Sequence, residues 1–331
     1  LTLPELLEPV AADLARVETE LIEQARGFEA GISDYVRYVL GSSGKRLRPT
    51  LALLAGGATG RLGDEHIKLA VIVELIHIAT LVHDDVLDAA QLRRRQATAN
   101  ARWDNQLSVL LGDCLFAHAL RLAASFPTTD VSRRISAAAG RVCAGELLQT
   151  KRRFDANLDL AQYLDIVTMK TGALFAVSCE LGAALNEAPP AVVKAAREYG
   201  ANFGIAYQVY DDCVDVFGRE REAGKSLGTD VKQGKLTLPF LLMIQAADAD
   251  GRQELAARIF SNDPREHREL LALARSNGVL PKSLATIEKF LAQADTNLRA
   301  LPDGVHTQAL AALSGYVSQS SRSLLKEAVI T

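Results

Sequence analysis

The chain has 331 residues, 48% hydrophobic and 23% charged with only 10 prolines, which excludes a disordered, collagen-like or proline-rich linker protein. Aromatics make up 5% and the apolar share is mostly Ala and Leu, a mix that suits helices better than sheets. A net charge of −3, from 37 basic and 40 acidic residues, offers no global field to nucleic acid or an anionic membrane, so any polyanion site must be local.

In chain order, the first residues carry acids from Glu5 onward with no basic segment leading into an apolar one, so no secretory signal is expected. The loop GSSGKRLRP spans Gly41 to Pro49, where Gly44 gives backbone freedom and Pro49 suits a helix start. Ile67, Ala70, Val71, Leu75, Ile78, Leu81 and Val82 then recur at three- and four-residue steps, which predicts a helix buried on most sides. Further helices are predicted over 107–124, 132–148, 160–185, 191–217, 238–247, 265–276 and 282–301. Breaks fall at 56–63, 126–130, 155–160, 186–190, 218–234, 261–264, 277–281 and 301–304. Strand-like alternation is hard to find, so the expected fold is all-α, and with no linker it is expected to form one domain over residues 1–331. The longest stretch without formal charge, Gly304 to Ser321, is broken by His, Thr, Gln and Ser, so no integral membrane segment is expected. Cys114, Cys143, Cys179 and Cys213 lie far apart without a CxxC pair, which fits reduced thiols in a cytoplasmic protein.

One short pattern occurs twice, as HDDVLD at His83 to Asp88 and YDDCVD at Tyr210 to Asp215. On a helix Asp84, Asp85 and Asp88 fall at about 0°, 100° and 40°, within one arc, and Asp211, Asp212 and Asp215 repeat the spacing. A single DDxxD is more often a solvated helix face. Two copies in otherwise apolar helices favour a metal cleft, because six buried carboxylates are costly unless paired or metal-bound. Mg²⁺ suits such ligands, since it is held by one or two carboxylates and fills its remaining positions with water and phosphate oxygens. Basic sets flank the clusters: Lys45, Arg46 and Arg48 before the first, Arg93, Arg94 and Arg95 after it, and Lys225 and Lys235 after the second. Cations beside acidic clusters suit two phosphorylated ligands, one held through metal and one directly.

These motifs resemble the trans-isoprenyl diphosphate synthases, the polyprenyl synthetase family. The resemblance runs through GKRLRP at Gly44 to Pro49, ELIHIATLVHDDVLD at Glu74 to Asp88, Arg93 and Arg94, LLGD at Leu110 to Asp113, Lys170 and Thr171, YQVYDDCVD at Tyr207 to Asp215, and GKSLGTDVKQGKLTLP at Gly224 to Pro239. It implies a bundle of helices around a deep central cavity, with the two aspartate-rich helix ends facing each other at its mouth. It also implies Mg²⁺-dependent, head-to-tail condensation of isopentenyl diphosphate with an allylic diphosphate primer through an allylic cation. By the same resemblance Asp84, Asp88 and Asp211 bind three Mg²⁺ ions, with Asp85, Asp212 and Asp215 as further ligands or supporting partners. Arg93, Lys170, Thr171, Gln208, Lys225 and Lys235 contact the allylic diphosphate, and Lys45, Arg48, His77 and Arg94 hold isopentenyl diphosphate. Residues Ala79 and Thr80, the fifth and fourth before Asp84, match the family's chain-length positions. Their small side chains imply an open passage and a long, octaprenyl-type product rather than a farnesyl or geranylgeranyl one. A homodimer is also implied. Arg95 stands where the family commonly has Gly, and Gly315 to Thr331 lacks the basic ending of several members. A class I terpene cyclase and a non-catalytic synthase subunit are the alternatives. The intact second cluster and the GKRLRP loop argue against the cyclase, and the six retained aspartates argue against the subunit.

Overall fold

The computed structural model describes residues 2–42, 44–94, 96–218, 228–261 and 263–330. Its described residues are mainly α-helical, as the Ala- and Leu-rich composition requires; the strands among them are Leu92–Arg93 and Gln96–Ala97, which form a short antiparallel hairpin. Its residues gather into two compact units, one of 1–140, 174–200 and 296–313, the other of 141–173, 201–295 and 314–331.

The first unit is built on the Asp64–Leu87 helix. Asp64 and Glu65 occupy its first turn, where negative charge complements the helix dipole. From Leu69 to Ile76 its apolar residues are almost wholly sealed. Their neighbours are the Leu47–Thr59, Asn105–Ala124 and Ala11–Glu23 helices. Leu51, Leu53 and Leu54 of the Leu47–Thr59 helix have no exposed surface, and a Cβ at Gly182 would overlap the carbonyl oxygen of Ala52. Helix-to-helix contact at Gly182 therefore depends on a missing side chain.

The second unit holds the Leu238–Ala246, Ala249–Ile259 and Pro264–Ser276 helices, most of Val279–Leu298, and the last part of Val305–Ile330. The Leu160–Ala184 helical run opens with a reciprocal cap, in which Asp159 accepts from the Gln162 amide and Gln162 accepts from the Asp159 amide. That run is interrupted by a π turn at Thr168–Gly172.

Among the described residues, five helices longer than a single turn lie outside the predicted set, Ala11–Glu23, Ala30–Leu40, Leu47–Thr59, Ala249–Ile259 and Val305–Ile330, as do the single turns Leu3–Leu6, Ala99–Arg102 and Thr229–Lys232. Gly56 and Gly57 read as a break, yet the helix continues to Thr59, and the two glycines instead make room for the His66 and His306 rings, which stand where side chains would. The ground of the membrane expectation, that no stretch is long and apolar enough, needs correction. Asp64–Leu87, Asn105–Ala124 and Leu160–Ala184 each carry an 18-residue window with mean hydropathy of at least 1.3 and no more than two charges. Counting uncharged runs missed them because a membrane-length window tolerates one or two charges. By length and composition these helices can cross a bilayer; the first and third windows are 72% buried within the protein itself.

Gly182→Ala should destabilise the protein by ~1–3 kcal/mol, because the added methyl must displace backbone rather than a flexible side-chain end. A lowered urea midpoint with unchanged slope is the expected reading, and an unaltered midpoint would mean that the contact has room to spare.

Candidate active site

In the first unit, His77, Thr80, Leu81, Asp84 and Asp88 keep partial exposure along a helix that is sealed earlier on. Their spacing keeps them within about 100° of one another around the helix axis. Ala79, the other chain-length residue, is fully buried, so Thr80 is the one of that pair on the open face. Its hydroxyl donates to the His77 carbonyl at 2.7 Å.

The three aspartates of the first cluster are not equivalent. Asp84 and Asp88 are partly open, whereas Asp85 is 4% exposed and one of its oxygens accepts from Arg93 Nε and Nη2, each at 2.7 Å. Burial raises the Asp85 carboxyl above its usual value and Arg93 opposes that rise. Asp85 thus orients Arg93, while the following turn is fixed by Thr98 and Asn100, whose side chains both donate to the Ala90 carbonyl. Ala89 and Arg94 sit here at φ 49° and 51°, a conformation that non-glycine residues hold only when their surroundings impose it.

Arg46, at φ 46°, fastens the GKRLRP loop. Its guanidinium, 8% exposed, donates to Glu74 at 2.7 Å, to both Glu18 oxygens at 2.6 and 3.2 Å, and to the Ser42 carbonyl at 3.1 Å. Glu74 lies one turn before His77 on the same helix, so this pair joins the loop to the open stripe. Lys45 is exposed on one side of Arg46, and on the other Arg48 lies 4.5 Å over the Phe175 ring. A Cβ at Gly44 would stand 2.5 Å from Arg94 Nη1, so glycine lets the two basic loops meet. Burial first, and then Arg48, Arg94, Arg93 and Arg46, hold the His77 imidazole well below its usual value. It is therefore neutral near pH 7, with one ring N–H to donate.

In the second unit, Asp211 is partly open and its two companions are buried. Asp212 accepts from the Tyr163 hydroxyl at 2.5 Å and from Gln208 Nε2 at 2.8 Å. Burial pushes its carboxyl up, Asp230 adds to the rise, and the two donors oppose it. Asp215 accepts from the Thr229 hydroxyl at 3.2 Å and from the Thr229 and Asp230 amides at 3.4 and 3.3 Å, which fixes the first turn of Thr229–Lys232 against the second cluster. Lys170 and Thr171 sit on the π turn: Lys170 meets Glu146 at 2.5 Å and Gln149 at 2.9 Å, and Thr171 donates to Gln208 at 2.8 Å. A Cβ at Gly145 would come within 2.5 Å of the Lys170 amide nitrogen, so the turn rests against that glycine. Lys235 is buried, and Lys225 lies outside the described residues.

Among the described residues, no three His, Cys, Asp or Glu side chains converge to hold a metal on protein ligands alone. Asp84 and Asp88, one turn apart and partly open, fit instead an ion that takes one or two carboxylates and completes its shell with phosphate oxygens and water. His83 and His118, which carry no signal of chemistry in sequence, are structural: His83 faces the Val109 carbonyl, and His118 pairs with Gln24 and stacks on Phe28. Sequence reasoning missed Glu18, Glu146, Tyr163 and Asp230, which act on the site from elsewhere in the chain. Only Asp230 lies inside a recognised motif.

The polyprenyl synthetase family profile matches residues 29–275. The octaprenyl diphosphate synthase of Escherichia coli is 31% identical over 97% of this chain and 100% of its own length. Heptaprenyl diphosphate synthase component 2 of Bacillus subtilis is 34% identical over 93% of this chain and 88% of its own. The crystal structure of a Caulobacter crescentus polyprenyl synthase, complexed with calcium and isoprenyl diphosphate, superposes with a TM-score of 0.90 at 34% identity, covering 96% of this chain and 98% of that one.

Arg46→Met should cost ~3–5 kcal/mol, because it strands the Glu74 carboxylate, which is 2% exposed. The double variant Arg46→Met/Glu74→Leu should recover most of that loss in urea melts. A double variant no more stable than the single one would show that the pair is not the unit that matters.

Proposed function

Because this chain belongs to the polyprenyl synthetase family and is a prenyltransferase, we propose that it makes a long-chain, octaprenyl-type product by adding isopentenyl diphosphate units to an allylic diphosphate. The observation that carries the reading is the open pair Asp84 and Asp88 on one stripe with His77, beside Arg48, Arg93 and Arg94. Asp84, Asp88 and Asp211 would hold Mg²⁺, three ions in all, with the diphosphate of the allylic substrate. When bound, Mg²⁺ supplies positive charge against the diphosphate oxygens.

The chain's own groups divide the work between the two substrates. Arg93, Lys170, Thr171, Gln208, Lys225 and Lys235 stabilise the departing diphosphate as its negative charge develops. Asp85, Asp212 and Asp215 are engaged by protein donors and act by holding Arg93, Gln208 and the Thr229 turn in place. Lys45, Arg48, Arg94 and the His77 N–H hold isopentenyl diphosphate, so that its double bond can attack the allylic cation. Apolar surroundings keep water from that cation. A proton then leaves the new carbon chain, and the released diphosphate is the base that accepts it.

Long product length is supported by the names of the relatives and by Thr80 on the open stripe. We assign the protein to the cytoplasm, a reading supported by its four free cysteines, and treat residues 1–331 as one working domain. A homodimer is supported by the exposed Val109 and Leu110 on the Asn105–Ala124 helix, whose apolar window is only 39% buried. The name of the Bacillus relative, a component 2, favours as a second reading a heteromeric partner.

Purified protein given Mg²⁺, isopentenyl diphosphate and farnesyl diphosphate should yield a ladder of products ending well beyond geranylgeranyl by mass spectrometry. Termination at geranylgeranyl would assign it to the short-chain synthases, and turnover that needs an added protein would favour the heteromer. Asp84→Ala and Asp211→Ala should each lower turnover at saturating Mg²⁺ by a factor on the order of 10² or more while melting like wild type; near-normal turnover would remove the metal assignment. Thr80→Tyr should shorten the main product, since a phenol on the open stripe fills space that the growing chain needs. Unchanged product length in that variant would place the passage elsewhere.

A further inference from the structure

The second unit contains a hydrogen-bonded chain that begins at a residue in no recognised motif. Tyr163, 4% exposed, donates its hydroxyl to Asp212 Oδ2; Gln208 Nε2 donates to Asp212 Oδ1; and the Thr171 hydroxyl donates to Gln208 Oε1. Both faces of the Gln208 amide are thereby assigned, with its nitrogen toward a carboxylate and its oxygen toward a hydroxyl donor.

Helix register explains why Tyr163 and Thr171 both reach the Pro190–Phe217 helix. Asp212 and Gln208 are four residues apart and share a face. Tyr163 and Thr171 are eight apart, which in an unbroken α-helix would leave them about 80° out of line. The π turn at Thr168–Gly172 closes over one more residue and brings Thr171 back toward the Tyr163 face, while Lys170 is left to meet Glu146 and Gln149.

We propose that Tyr163 is a positioning residue for prenyl transfer, which orients Asp212 and, through it, the Gln208 amide and the Thr171 hydroxyl that face the allylic diphosphate. The proposal rests on the reading of Asp211, Gln208 and Thr171 given above. Removing the hydroxyl leaves the Asp212 carboxylate with one fewer donor, and the Gln208 amide loses its fixed orientation. Asp212 sits next to Asp211, so the loss is felt at the magnesium–diphosphate side and not at the isopentenyl diphosphate side.

The test is Tyr163→Phe, with inorganic diphosphate plus Mg²⁺ titrated calorimetrically as the probe and steady-state rates measured beside it. Affinity for magnesium–diphosphate and kcat should each fall about tenfold, the scale of one lost hydrogen bond to a charged group, with KM for isopentenyl diphosphate within about twofold of wild type. Equal loss on both substrates would reduce Tyr163 to a packing residue and overturn the proposal. Asp212→Asn, which breaks the same chain at similar volume, should reproduce the pattern and decides the matter if Tyr163→Phe does not fold. The double variant should lose no more than the worse single one, and additive losses count against a shared chain. Asp211→Ala separates the two claims. If it binds magnesium–diphosphate normally, the reading of the site fails; if it loses binding while Tyr163→Phe and Asp212→Asn do not, the positioning role alone fails.

Discussion

A carboxylate buried without a donor costs several kcal/mol, and this chain places Asp85, Asp212, Asp215 and Glu74 at 4% exposure or less. Each has its own answer: Arg93 for Asp85, Tyr163 with Gln208 for Asp212, the Thr229 turn for Asp215, and Arg46 for Glu74. These donors do more than neutralise charge. Arg93 lies on the hairpin, Arg46 on the GKRLRP loop and Thr229 on the segment after the second cluster, so satisfying the buried acids also sets where the loops stand.

This requirement separates two kinds of aspartate that look alike in sequence. In each DDxxD the leading residue, Asp84 or Asp211, stays partly open, and the second, Asp85 or Asp212, turns inward. The third differs, with Asp88 partly open at the end of its helix and Asp215 only 1% exposed. A metal ion needs ligands that can be reached, and supporting residues need to be fixed. The repeated motif supplies one reachable and one fixed carboxylate from a single helix because adjacent residues lie about 100° apart around the axis.

Most of the helical scaffold was legible because apolar periodicity and Pro, Gly or Asp punctuation are local signals. The break before Leu160 and the start at Pro190 coincide with a reciprocal cap and a helical proline, both readable within four residues. Where the reading failed, the deciding contact was distant. Gly56 and Gly57 lie within a helix and serve to admit the His66 and His306 rings, and His306 is some 250 residues away. The site divides the same way. Asp84, Asp88, Arg48 and His77 stand in motifs that name them, whereas Glu18 and Tyr163 owe their roles to tertiary partners 28 and 49 residues off.

Local strain follows the same logic. Arg46, Ala89 and Arg94 hold positive φ without being glycine, and all three lie in the segments that carry the cations of the first unit. None of these conformations is favoured by its own residue, so each must be maintained by what surrounds it: the Glu18 and Glu74 pairs for Arg46, and the bonds to the Ala90 carbonyl next to Ala89. The π turn is the counterpart in the second unit, an irregular helix held by the absence of a side chain at Gly145 and by the bonds of Lys170 and Thr171. A regular helix would be simpler to fold, but it would put Lys170 and Thr171 on other faces. Irregular backbone persists here because Lys170 turns to Glu146 and Gln149 while Thr171 turns to Gln208, directions that regular geometry does not provide together.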